Sequence, residues 1–180
     1  FDLAKKLSMK INTPLLFMAY FNTVFKYGIK KFCQNAKEAG ISGLIVPDIP
    51  LEEESNENFM KYVLANNLHH IRVLSPASTE DRLIKNSKIA NGFVYFTSRQ
   101  GITGSQQSLD PKLISNLEQV KRYIQTPLAV GFGISKPEHL KALKGNAEIA
   151  VVGSAILDII NESKDNYLNK VEIFLKDLKA

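Results

Sequence analysis

The chain of 180 residues has no tryptophan, one cysteine and three histidines. A single cysteine excludes an internal disulfide framework and a cysteine-built zinc site. Cys33 falls in an apolar helical pattern, which predicts a reduced core thiol and, by default, a cytoplasmic protein. His69 and His70 are adjacent, so on a strand they point to opposite faces, and no third ligand lies nearby in sequence. No metal is expected. His139 follows a candidate helix cap at Ser135 and is expected on the surface. No apolar run approaches the ~18 residues of a membrane span, and no signal-peptide pattern opens the chain. Basic blocks with interleaved aromatics are also lacking. The formal net charge of +5 comes from lysines scattered among acids, as in KDNYLNKVEIFLKDLKA, so a solvated surface is expected rather than a nucleic-acid site. The chain opens on Phe1 without methionine, and a piece of a longer protein is expected.

What is present is alternation. Six short β-rich runs occur at PLLFMAY (14–20), GLIVPDI (43–49), HIRVLSP (70–76), FVYFTS (93–98), PLAVGFG (127–133) and IAVVGSA (149–155). Most are nearly continuous in apolar residues, as parallel strands covered on both faces require. Helical patterns lie between them. Phe25, Ile29, Phe32, Ala36 and Ala39 share one face, and Gly40 suits a left-handed stop. Glu52, Glu53 and Glu54 occupy the first turn of the next helix, at the positive end of its dipole. Asp110-Pro111 reads as an N-cap followed by proline, and Ser135 with Glu138 as a capping box. Leu168, Val171, Phe174, Leu175 and Leu178 form a terminal stripe.

Serial βα units specify a parallel sheet, either open and doubly wound or closed as a barrel. No G-x-G-x-x-G follows the first strand, which argues against a dinucleotide fold. Barrels bind ligands at the C-terminal ends of their strands. Three consecutive exits here carry one chemistry: RQGITGS after the fourth run, GFGIS within and after the fifth, and Gly153-Ser154 after the sixth. Glycines admit a ligand close to the backbone, and free N–H groups at a helix start complement an anion. A phosphate dianion is the expected occupant.

The segments GLIVPDIPLEE, YFTSRQGITG, VGFGISKPEH and VVGSAI, in this order and spacing, resemble the signature segments of the tryptophan synthase alpha subunit family. The resemblance implies an α/β fold, the (β/α)8 TIM barrel. About six of its eight βα units would be present as one domain over residues 1–180, lacking the first two units and roughly 80 residues of a ~250-residue barrel. It implies retro-aldol cleavage of indole-3-glycerol phosphate to indole and glyceraldehyde 3-phosphate. Indole then passes to a beta subunit that uses pyridoxal phosphate, in an α2β2 assembly; no cofactor is expected in the alpha subunit itself.

Residue by residue, the resemblance gives Gly104, Gly133, Gly153 and Ser154 to the substrate phosphate and has Tyr95 facing the substrate. Thr103 falls in a mobile loop over the site, together with Arg99 and Gly101. Asn22 and Asp48 are expected toward the partner; Asn22 also reads as a helix N-cap. The family's catalytic acidic pair lies N-terminal to this chain, so the catalytic residues are unknown. Ser42 stands where the family usually has an aspartate. Two other readings remain open: a non-catalytic homologue that only activates a beta subunit, and another phosphate-binding barrel enzyme.

Overall fold

The computed structural model describes residues 1–97, 112–131, 133–163 and 165–179. It divides into two compact units, Phe1–Val73 with Ala90–Gly92, and Leu74–Ile89 with Phe93–Ala180.

The first unit runs α1 (Asp2–Ser8), β1 (Leu15–Met18), α2 (Phe21–Tyr27), α3 (Ile29–Glu38), β2 (Ile41–Ile45), α4 (Leu51–Asn56), α5 (Phe59–Ala65) and β3 (His69–Leu74). β1 pairs parallel with β2, and β2 with β3. The single helix expected around Phe25 to Ala39 is two. Gly28, at φ +93, breaks it between α2 and α3, a conformation open to glycine and strained for other residues. Phe25 is consequently exposed, whereas Ile29, Phe32 and Ala36 are buried. Gly40 stops α3 at φ +76, as expected.

Asn22 is the second residue of α2 rather than its cap. The Phe21 amide is instead capped from another loop, donating to Asp48 Oδ1 at 2.7 Å. A cap 27 residues away leaves no local pattern to read. The core joins α2, α3, α5 and β2 through Val24, Phe32, Cys33, Leu44, Phe59 and Val63. Burial pushes the Cys33 thiol up to about 11, so it stays protonated and unreactive.

Charge is also buried in this unit. His70 and Arg72, two residues apart, share one face of β3, and Glu54 of α4 meets them there. Arg72 donates to Glu54 Oε1 and approaches His70 Nδ1 at 3.0 Å. Phe59 packs edge-on against the His70 ring. Glu54 Oε1 lies 3.8 Å from the imidazole, yet this is not an ion pair. Burial, reinforced by Arg72, lowers His70 from 6.5 to about 3 and keeps it neutral. Glu54 sits in the first turn of its helix as expected, with its carboxylate held by Arg72.

The second unit contains α6 (Glu80–Ser87), β4 (Val94–Thr97), α7 (Leu113–Lys121), β5 (Leu128–Gly131), α8 (Pro137–Leu143), β6 (Ile149–Ala150), α9 (Ser154–Glu162) and α10 (Tyr167–Lys179). β4 pairs parallel with β5, and β5 with β6. Val94, Phe96, Leu128 and Val130 lie on one face of the strands and are fully buried. Tyr95, Ala129 and Gly131 lie on the other. Glu148 braces the strand starts, accepting from the Leu128 amide at 2.7 Å and from Lys121 Nζ at 2.8 Å. The terminal stripe is buried only in part: Leu178 is inside, while Leu168 and Leu175 face solvent. Asp110 and Pro111 lie outside the described residues. Among the described residues no helix is long and apolar enough to cross a membrane.

Candidate functional site

The exits of β5 and β6 are aligned by the strand register. Val130 faces Ala150, and the Val151 amide donates to Val130 O at 2.8 Å. Gly133 and Gly153 each lie three residues past that matched pair, on strands spaced about 4.8 Å apart. Gly153 precedes α9 as its N-cap and supplies no side-chain cap, and Ser154 is the first helical residue. A Cβ added at Gly153 would meet nothing within 4 Å, so the backbone there stands open. Gly133 has φ +84, which turns the chain sharply as it leaves β5.

Tyr95 stands on β4 beside these exits. Its register partner is Ala129, and its ring reaches along β5 toward the strand's C-terminal end. A Cβ built on Gly131 would run into Tyr95 Oη and sit 2.5 Å from Cζ. Glycine at 131 is therefore what lets the tyrosine lie against the strand. Tyr95 is 8 % exposed. Burial raises its phenol above the usual tyrosine value of 10, so the hydroxyl stays protonated and able to donate. The sequence signal for Gly131 was available: a glycine closes an apolar strand whose neighbour carries a tyrosine on the same face.

The loop after β5 has a second support that sequence reasoning missed. The N-cap of α8 is Lys136, with no side-chain bond, so Ser135 and Glu138 do not form a capping box. Ser135 precedes the cap, and its amide donates to Nδ1 of His139 at 3.2 Å. His139 is 5 % exposed, correcting the expectation of a surface residue. The third helical residue does return to the chain before the helix, as in a capping box, with imidazole in place of carboxylate and the register moved by one.

The structure thus brings Tyr95, Gly133, Gly153 and Ser154 to the C-terminal ends of adjacent parallel strands in one unit. Arg99, Gly101, Thr103 and Gly104 lie outside the described residues. Asp48 caps α2 in the first unit, and Asn22 lies on that same helix. Among the described residues no group of three histidine, cysteine, aspartate or glutamate side chains could hold a metal ion.

A family model described as tryptophan synthase alpha chain matches residues 1–180. The tryptophan synthase alpha chain of Desulfotalea psychrophila is 41 % identical over 163 residues, covering 91 % of this chain and 63 % of that protein. That of Petrotoga mobilis is 35 % identical and covers all of this chain and 70 % of its own length. The chain therefore spans 63 % to 70 % of the length of these two curated relatives. A solved mutant alpha-subunit from Pyrococcus furiosus superposes with a TM-score of 0.88 at 28 % identity, covering 98 % of this chain and 70 % of that one. The fold class is the (β/α)8 barrel, represented here by part of its βα units. By this match along its whole length, the chain belongs to the tryptophan synthase alpha chain family.

Proposed function

We propose that the protein carrying this chain cleaves indole-3-glycerol phosphate to indole and glyceraldehyde 3-phosphate and passes indole to a beta subunit. The observation that carries this reading is the buried, protonated Tyr95 laid over Gly131 next to the glycine exits of β5 and β6.

In that reading Gly133, Gly153 and Ser154 hold the phosphate. Main-chain N–H groups and the Ser154 hydroxyl donate to its oxygens, and the start of α9 adds its positive dipole end. Gly104 and Thr103 complete the cradle and its cover, with Arg99 and Gly101 in the same segment. Tyr95 borders the indole-glycerol portion. As the carbon–carbon bond breaks, C3 of indole gains a proton and the glycerol hydroxyl loses one to become the aldehyde. The groups that move those protons are the family's acidic pair, N-terminal to this chain. Asp48 has a structural and interface role in this reading, in keeping with its Oδ1 accepting from the Phe21 amide at the start of α2. Asn22 and Asp48, joined through that helix, face the beta subunit. No cofactor belongs to this subunit; pyridoxal phosphate belongs to its partner. One domain in the cytoplasm goes with this reading.

The test is indole release from indole-3-glycerol phosphate by the full-length protein, alone and with its beta subunit. Cleavage is expected. With Ser154→Asp, a carboxylate set against the phosphate raises KM by at least about tenfold. A protein that releases no indole yet activates its beta subunit is a non-catalytic homologue. An unchanged KM in the Ser154→Asp variant moves the phosphate elsewhere.

A further inference from the structure

From the buried contact between α8 and the loop after β5, we infer that His139 is a positioning residue for phosphate recognition. It sets the conformation in which Gly133 presents its backbone to the ligand. The inference rests on the phosphate reading given above and adds a residue to it.

Three observations place the loop between two fixed points. Gly133 turns at φ +84. Ile134, next to it, is 2 % exposed and anchors the loop in the core. Ser135 then gives its amide to His139 Nδ1 at 3.2 Å, and its hydroxyl donates to Gly133 O at 3.4 Å. The short segment from Gly133 to Ser135 is thus held by apolar burial in its middle and by a buried imidazole at its end. Loops gain precision as binding elements when a rigid shell fixes them. A loop free to fluctuate would have to be ordered by the ligand, and that ordering lowers affinity.

The bond also assigns a chemical state. Because the Ser135 N–H donates, Nδ1 is the lone-pair nitrogen and any proton on the neutral ring sits on Nε2. The Ser135 amide is committed within the protein, so the ligand is met by the backbone preceding it. His139 does not touch the phosphate. Its effect passes through Ser135 and belongs to ground-state binding, which separates KM from kcat.

The experiment compares His139→Leu and His139→Asn in the full-length protein. Asparagine places Oδ1 near the position of Nδ1 and can still accept from the amide. KM and kcat for indole-3-glycerol phosphate are measured together with the Kd of glycerol 3-phosphate. The leucine variant is expected to raise KM and Kd about tenfold, the size of one lost hydrogen bond, with kcat changed by no more than about twofold. The asparagine variant is expected to recover affinity to within about threefold of the parent. Leucine binding as tightly as the parent overturns the inference, as does a loss that asparagine fails to recover.

If the unsubstituted protein ignores glycerol 3-phosphate, the phosphate reading falls and takes this one with it. If it binds and the variants bind equally, only the role of His139 falls. Nitrogen NMR of the unsubstituted protein supplies a check that needs no substitution. A lone-pair-type Nδ1 at His139 with a slowly exchanging Ser135 amide supports the bond, and a protonated Nδ1 overturns it.

Discussion

Each unit buries polar side chains beside a parallel strand, but the two do so with opposite outcomes. In the first unit Glu54, Arg72 and His70 are 3 %, 6 % and 1 % exposed and bond to one another, with Met60 Sδ also 3.1 Å from His70 Nδ1. The arrangement braces α4 against β3. In the second unit Tyr95 and His139 are equally enclosed, yet each touches backbone at or just past the end of β5. Buried polarity alone therefore does not mark a site. The proposed site instead draws on polarity that shapes an open strand exit.

The largest expected effect breaks the sealed cluster. Arg72→Ala leaves Glu54 without its guanidinium partner in the interior and should cost about 3–5 kcal/mol of stability. Replacing Arg72 and Glu54 together by methionine and leucine should recover most of that loss. Denaturant unfolding of both variants measures it. A double replacement as damaging as the single one would mean that the cluster acts as more than a brace.

Next comes the tyrosine shelf. Gly131→Ala drives a methyl group into the Tyr95 ring and should cost about 1–3 kcal/mol. It should also lower kcat/KM, because Tyr95 must leave its place. Adding Tyr95→Ala should relieve the strain in unfolding experiments without restoring activity. A strictly additive double mutant would contradict direct contact between the two residues.

The smallest effect is the acid response of the sealed cluster. His70 is held below its unfolded value of 6.5, at about 3, so the folded state binds fewer protons than the unfolded chain between those values. Its contribution is present above about pH 6.5 and is lost as pH falls toward 3. Between about pH 7 and about pH 5.5 the loss should be on the order of 1 kcal/mol. His70→Leu should flatten this part of the stability curve. An unchanged slope would assign the acid sensitivity to other groups. The second unit offers a contrast in Glu148, which Lys121 and the Leu128 amide hold below the usual carboxylate range near its surface. Screening by solvent there leaves a weaker effect.

The sequence was most legible where physics is local. Each of the six apolar runs contains a strand, but β2 runs from Ile41 to Ile45, so that VPDI forms its exit, and β6 keeps only Ile149–Ala150 before Ser154 opens α9. The glycine exits of the fifth and sixth strands lie where the pattern placed them. What it concealed depends on distance along the chain. Asp48 caps a helix 27 residues earlier, and Arg72 meets Glu54 18 residues away. Neither partner leaves a mark near the other. The division at Gly28 is an intermediate case: the glycine was visible, but a continuous apolar stripe outweighed it in the reading. His139 departs from its expected surface position because an imidazole four residues past Ser135 has the pattern of a solvated helix residue, and only its acceptor role toward the Ser135 amide sets it apart.

In the proposed site, adjacent strand ends of the second unit pool backbone donors around one phosphate. Amide NMR of the full-length protein titrated with glycerol 3-phosphate tests it most directly. Saturable shifts at the Gly133, Gly153 and Ser154 amides that share one dissociation constant are expected. Saturable binding that leaves all three amides unmoved would contradict it.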